Sequence, residues 1–183
     1  MGALLMLSFI ITLTVIMTTV ALLMSLSLLA LLLVRVPFVP TPRNRVQKII
    51  QELDVTTGMK FYDIGCGDGR FLFAAIQAGA NATGYEVSAS ALTRAYINKW
   101  ILRSSARIYL KNFYTQNLAD ADAVFCFLLD TVMPRVEEKL IAELKPGTVV
   151  GSYGFQMPSW QPERVVVFDP ENKKASKLYI YRR

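Results

Sequence analysis

The chain contains no histidine, which removes the commonest general base and every Ser-His or Cys-His nucleophile pair. Cysteine is nearly as scarce: Cys66 and Cys126 are the two present. They lack zinc-type spacing, so no metal site is expected. They also make no disulfide framework, which suits a reducing compartment. Positions 1 to 34 carry no charged side chain. The rest shows no internal repeat and no low-complexity linker.

The uncharged segment is dominated by Leu, Ile, Val, Met and Ala until Arg35 ends it. A bilayer core takes about 20 apolar residues as a helix, so the segment can span with tilt. A cleaved signal peptide fits less well, because there is no basic n-region, the run is too long and no small-x-small site follows. A buried soluble helix is disfavoured, since a small domain cannot cover every face of so long an apolar rod. Arg35, Arg43, Arg45 and Lys48 lie just after the run. The positive-inside rule then predicts a single-pass protein with its polar part on the cytoplasmic side, or the matrix side in a mitochondrion. The net charge of +6 includes a C-terminal cluster of Lys173, Lys174, Lys177, Arg182 and Arg183. That cluster is either a solvated surface or an attraction toward anionic head groups. Nucleic-acid binding is disfavoured, because base-stacking motifs are missing.

The densest local signal is Asp63-Ile64-Gly65-Cys66-Gly67-Asp68-Gly69-Arg70, between the apolar run Phe61-Tyr62 and Phe71-Leu72-Phe73-Ala74-Ala75-Ile76. It reads as strand, glycine turn, helix, with backbone N–H groups free at the helix start and an acid at the strand end. A dinucleotide fingerprint needs a third glycine at position 70, where the chain has Arg70. Asp63-x-Gly65-x-Gly67-x-Gly69 instead resembles the first motif of class I S-adenosylmethionine (SAM) methyltransferases. Glu86 follows Gly65 by 21 residues, at the end of a second short strand, where a carboxylate can accept both ribose hydroxyls.

The remaining pattern alternates strands and helices. Thr41-Pro42 reads as an N-cap with proline at the first helical position, opening a helix to about Leu53. Strands are expected near 60–64, 83–87, 107–110, 123–128 and 148–153, and helices near 68–78, 90–103 and 131–144. An antiparallel pair at 164–168 and 178–181 closes the chain. This predicts an α/β fold, an N-terminal transmembrane helix followed by a Rossmann-like domain whose mostly parallel twisted sheet has helices on both faces. The expected organisation is an anchor at 1–34, a Pro-rich connector and helix at 35–58, and the methyltransferase domain at 59–183.

Four elements then combine: Pro37-Phe38-Val39-Pro40-Thr41-Pro42, the Asp63 motif, Gly84-Tyr85-Glu86, and the late run Phe127-Leu128-Leu129-Asp130-Thr131-Val132-Met133-Pro134-Arg135-Val136-Glu137-Glu138-Lys139-Leu140. Together they resemble the membrane-anchored lysine N-methyltransferases that include the mitochondrial enzymes acting on a subunit of ATP synthase and on adenine nucleotide translocases. The resemblance covers roughly residues 35 to 168. It implies SAM as cofactor, membrane attachment through the N-terminal segment and a lysine of a membrane protein as acceptor. The chain is compact and has no Arg-rich presequence, as expected of a prokaryotic relative with another substrate. By the same resemblance Asp63 and Glu86 are the acidic cofactor residues, Gly65, Gly67 and Gly69 form the turn, and Asn112 and Phe113 hold the adenine.

Some residues keep two readings. Thr41 caps its helix, touches the cofactor carboxylate, or does both. Asp130 is the best acidic candidate for orienting the acceptor amine, or an N-cap. Tyr153, Phe155 and Trp160 form a lip around a lysine stem or cover the core. The Asn/Asp-Pro-Pro-aromatic sequence of many amide or nucleobase methyltransferases is absent. The competing functions are methylation of a lipid, quinone or other small molecule, and a non-catalytic SAM-binding membrane module.

Overall fold

A computed structural model describes residues 2–33, 41–172 and 175–183. The expected connector up to Pro40, Arg35, Lys173 and Lys174 lie outside these residues. The chain divides into two units, Met1–Pro40 and Thr41–Arg183.

In the first unit, α1 (Gly2–Leu33) contains a stretch, Leu5–Ser25, long and apolar enough by length and composition to cross a membrane. Several of its hydroxyls bond to carbonyls of the preceding turn. Thr12 donates to the Ser8 carbonyl, Thr14 to Ile10, Thr19 to Val15 and Ser25 to Ala21 at 2.8–2.9 Å.

The second unit is built on a seven-stranded sheet. Its elements are α2 (Arg43–Glu52), β1 (Lys60–Ile64), α3 (Arg70–Gln77), β2 (Asn81–Glu86), α4 (Ala89–Ile101) and β3 (Arg107–Leu110). Then follow β4 (Ala123–Cys126), α5 (Met133–Glu143), β5 (Val149–Tyr153), β6 (Arg164–Val167) and β7 (Lys177–Arg182). The spatial order is β3-β2-β1-β4-β5-β7-β6. The first five strands run parallel, while β7 is antiparallel to both neighbours. Helices α2, α3 and α4 pack on one face over Phe61, Ile108, Phe125 and Ile180. Helix α5 covers the other face with Met133, Val136 and Leu140 against Ile64, Val124, Val150 and Tyr181. Helices thus lie on both sides of a largely parallel sheet, as the alternating pattern predicts.

The differences from the sequence reading sit at element ends. The apolar run after β4 leaves the sheet at Cys126, so Phe127 and Leu128 become loop. The Pro42 carbonyl accepts the first helical bond, from the Val46 N–H at 3.0 Å, so Pro42 rather than Thr41 occupies the cap of α2. No side chain caps that helix. Nor does Asp130 cap α5: it opens a 3₁₀ turn, Asp130–Val132, and α5 starts at Met133 with Pro134 in its first turn.

Strand β2 must pass close behind the glycine turn. A Cβ on Gly84 would lie 2.5 Å from Leu72 Cδ1 and 2.8 Å from Cys66 Cβ, and Leu72 is fully buried. Gly84→Ala is therefore expected to lower stability by about 1–3 kcal/mol through overpacking, measurable by thermal or denaturant unfolding. A neutral effect would show that the α3–β2 contact yields.

Candidate active site

The chain order reverses direction across β1, with β2 and β3 on one side and β4 and β5 on the other. Open parallel sheets bind ligands outside the carboxyl ends of the strands at such a point. The sequence-marked residues converge there.

Asp63 and Glu86 end two neighbouring strands; Asp63 pairs with Gly84 and Ile64 with Tyr85. The turn between them is tied to β2, since Gly65 and Cys66 N–H both donate to the Tyr85 carbonyl, at 2.9 and 3.0 Å. Gly65, Gly67 and Gly69 all take positive φ, at 85°, 56° and 82°, which favours glycine at each. A Cβ on Gly65 would stand 2.7 Å from Leu128 Cδ2, so the loop after β4 lies against the turn. The Glu86 carboxylate accepts from Gly67 N–H at 2.9 Å and from Val87 and Ser88 N–H at 2.8 Å each.

Asp63 is 1% exposed and its Oδ2 has no hydrogen-bond partner. Burial, followed by the nearby charges of Glu86 and Asp68, holds its pKa well above the ordinary value of 3.8. A buried acceptor without a donor is suited to a cationic or hydroxylic group. The two thiols are no nucleophiles: burial and the adjacent Asp63 and Glu86 raise Cys66 far above its usual range, and burial pushes Cys126 up to about 12.

The other marked residues are placed as follows. Thr41 is buried, and its carbonyl accepts a short bond from the Arg70 guanidinium. Asn112 is exposed and caps the 3₁₀ turn Phe113–Thr115 through Tyr114 N–H at 3.0 Å, while Phe113 is buried beside it. Asp130 is exposed on the loop after β4. The three aromatics of the expected lip do not form one wall. Tyr153 is in the core on the α2 face, 5.0 Å from the Phe127 ring and bonded to Arg45. Phe155 and Trp160 pack on the α5 face, with Trp160 5.2 Å from Tyr181. The strand ends at Tyr153, and the irregular segment that follows carries Phe155 and Trp160 to the other face.

Sequence reading missed several supports. Arg70 forms a two-point ion pair with Asp68, Nε to Oδ1 at 2.8 Å and Nη2 to Oδ2 at 2.5 Å, and its bond to the Thr41 carbonyl joins the turn to the segment that opens α2. Lys139 is buried, and its Nζ donates to the Gln116 carbonyl at 2.8 Å and to Glu143 Oε1 at 2.5 Å. Glu137 is buried and accepts from Ser159 N–H at 2.9 Å. Both lie on α5, where their i,i+2 spacing reads as ordinary solvated charge.

Glycine turn, strand-end acids and strand order together define a class I SAM-dependent methyltransferase. Comparisons with known proteins agree. The sequence profile of the ANTKMT methyltransferase domain matches residues 63–164, and the chain belongs to that family. It is 33% identical over 150 residues to a protein-lysine N-methyltransferase of Saccharolobus islandicus, covering 80% of this chain and 92% of the relative. It is 33% identical to a rat lysine N-methyltransferase named for a subunit of ATP synthase and 36% identical to the mouse adenine nucleotide translocase lysine N-methyltransferase. Those matches cover 73% and 72% of this chain but 62% and 58% of the relatives. Among solved structures, an RNA methyltransferase of Salinibacter ruber in complex with S-adenosyl-L-homocysteine superposes with a TM-score of 0.71 at 28% identity, covering 79% of this chain and 93% of that one. The cofactor of this fold is SAM, and the unpartnered Asp63 oxygen beside a side-chain-free turn fits a ligand with donors and a positive charge.

In the ligand-free protein the raised Asp63 pKa means that the folded chain keeps a proton the unfolded chain has released. Stability therefore falls as pH rises from 3.8 toward the raised value. Asp63→Asn is expected to remove that slope and to unfold at higher temperature than the parent at neutral pH. Its SAM affinity should drop by about tenfold or more. Unfolding across a pH series, with SAM titration, checks both, and an unchanged slope would assign the effect to other groups.

Proposed function

We propose that this chain is a membrane-anchored protein-lysine N-methyltransferase whose acceptor is a lysine of a membrane protein. The observation that carries the methyl-donor half is the buried, unpartnered Asp63 oxygen beside the Gly65-Gly67-Gly69 turn. The acceptor class rests on the protein-lysine methyltransferases named above.

When bound, SAM supplies a methyl group activated on a sulfonium. Asp63, Glu86 and the three turn glycines would hold it, with Asn112 and Phe113 beside β3 and Thr41 at the start of α2. The acceptor lysine must reach the site as a neutral amine, and alignment then accounts for much of the rate. Asp130, an exposed carboxylate on the loop that borders the turn, is the group assigned to accept a hydrogen bond or proton from that amine. Phe155 and Trp160, both partly buried after β5, are assigned as apolar walls for the lysine stem.

Helix α1 supports the anchor: each of its described Thr and Ser bonds stays inside the helix, the arrangement a bilayer demands of polar groups. Arg43, Arg45 and Lys48 support a cytoplasmic orientation for the domain. We read 1–34 as the anchor, 35–58 as connector and helix, and 59–183 as the catalytic domain.

The decisive test incubates the full chain with labelled SAM and native membranes. Label that survives delipidation and maps to lysine is expected; label confined to the lipid extract would transfer the protein to lipid or quinone chemistry. Glu86→Ala should cut labelling by about 10- to 100-fold, since it deletes charge-assisted hydrogen bonds at the cofactor edge.

A further inference from the structure

Strand β3 is an edge of the sheet, and α4 lies beside it, tied by the Tyr96 hydroxyl donating to the Ile108 carbonyl at 2.8 Å. This flank exposes Ile97, Trp100, Ile101 and Leu102 around the end of α4, with Tyr109 and Leu110 on β3. Ile97, Trp100 and Ile101 stand at i, i+3 and i+4, forming one stripe. They are 53%, 82% and 63% exposed, an unusual concentration for an outer helix face.

The charge around the stripe has one sign. Between positions 87 and 119 there is no Asp or Glu, while Arg94, Lys99, Arg103, Arg107 and Lys111 all fall in that interval. Among the described residues, Lys99, Arg103, Arg107 and Lys111 take part in no ion pair. Lys99 and Arg103 border, with Trp100 and Ile101, an open depression of about 690 Å³. It lies at the far end of α4 from Glu86 and is therefore separate from the cofactor crevice.

We infer that the α4–β3 flank is an interfacial surface that seats on an anionic lipid bilayer. The stripe enters the head-group layer and the basic side chains meet lipid phosphates. A tryptophan flanked by aliphatic side chains and lysine or arginine is the composition such a layer favours. Two other occupants fit less well. An isologous dimer would bring two acid-free basic surfaces face to face. A nucleic acid could stack on Tyr96, Trp100 and Tyr109, but it would leave Ile97, Ile101, Leu102 and Leu110 in water, whereas a bilayer buries them. The inference rests on the membrane-anchored reading and adds a second contact to it.

The test uses the full chain, with Trp160→Phe so that Trp100 is the sole tryptophan, reconstituted into vesicles of neutral lipid or of neutral plus anionic lipid. Flotation first reports whether α1 holds the protein on the vesicles; a protein left at the bottom refutes the anchor and the flank contact together. For floating protein, brominated acyl chains in anionic vesicles should quench Trp100 by about twofold, as expected for insertion to head-group depth. Lys99→Gln with Arg103→Gln and Arg107→Gln should return quenching to the neutral-lipid level. Floating protein whose Trp100 stays unquenched in anionic vesicles overturns the proposal while leaving the anchor standing. So does Trp100 quenched by single-stranded RNA but not by lipid, or shielded in detergent at the mass of a dimer. If Trp160→Phe fails to fold, a spin label at Ile97→Cys reads the same depth by oxygen against water-soluble relaxation, since Cys66 and Cys126 are buried.

Discussion

The site depends on how the glycine turn is fastened to the neighbouring strand. Gly65 and Cys66 donate to Tyr85, and Gly67 donates to the Glu86 carboxylate. The turn is therefore held by β2 as well as by the Asp68–Arg70 pair at the start of its own helix, and its three left-handed glycines are what that approach requires. Two consequences follow. Gly84 has to lack a side chain, because Leu72 and Cys66 occupy the space behind it. Glu86 has to sit at the strand end, where one carboxylate can fix Gly67, Val87 and Ser88 together.

Asp63 shows the opposite pattern. Its carboxyl is buried at the end of β1 with one oxygen unpartnered, a destabilising arrangement for a structural residue. Removing the group would relieve the fold, so the fold alone does not account for it. A ligand carrying donors or positive charge does, and the same burial keeps the Cys66 and Cys126 thiols protonated. Electrostatic demand and chemical inertness thus come from one dry environment.

The donor half was legible because it is local. Asp63, the glycines and Glu86 lie within one β-α-β unit, and each is dictated by backbone conformation or by a strand end. The strands at 60–64 and 107–110 and the helical layers were equally readable from periodicity. What escaped was set by contacts between distant segments. Pro42 displaced Thr41 as cap once the Thr41 carbonyl turned to Arg70. Tyr153 and Trp160, close in sequence, went to opposite faces because β5 ends at Tyr153 and the chain turns over the sheet edge after it. The exposed stripe on α4 was invisible because Ile and Trp at helical spacing read as core.

The acceptor half is illegible for a further physical reason. In the proposed site it draws on the loops after β3, β4 and β5, which hold nothing more regular than the short 3₁₀ turns Phe113–Thr115 and Asp130–Val132. Two of them are held by α5: Lys139 grips the carbonyls of Tyr114 and Gln116, and Glu137 grips the N–H of Ser159. The late run that carries the family resemblance therefore has a structural task, fixing the loops that frame the acceptor side, which is separate from contact with any acceptor. A buried lysine with Glu143 and two carbonyls as partners is stable only if all of them stay in place. These polar bonds act together with the apolar packing of Phe113, Leu118 and Met157 in fixing the loops. Because α5 supplies this frame, the loop sequences it holds can vary at positions that make none of these bonds.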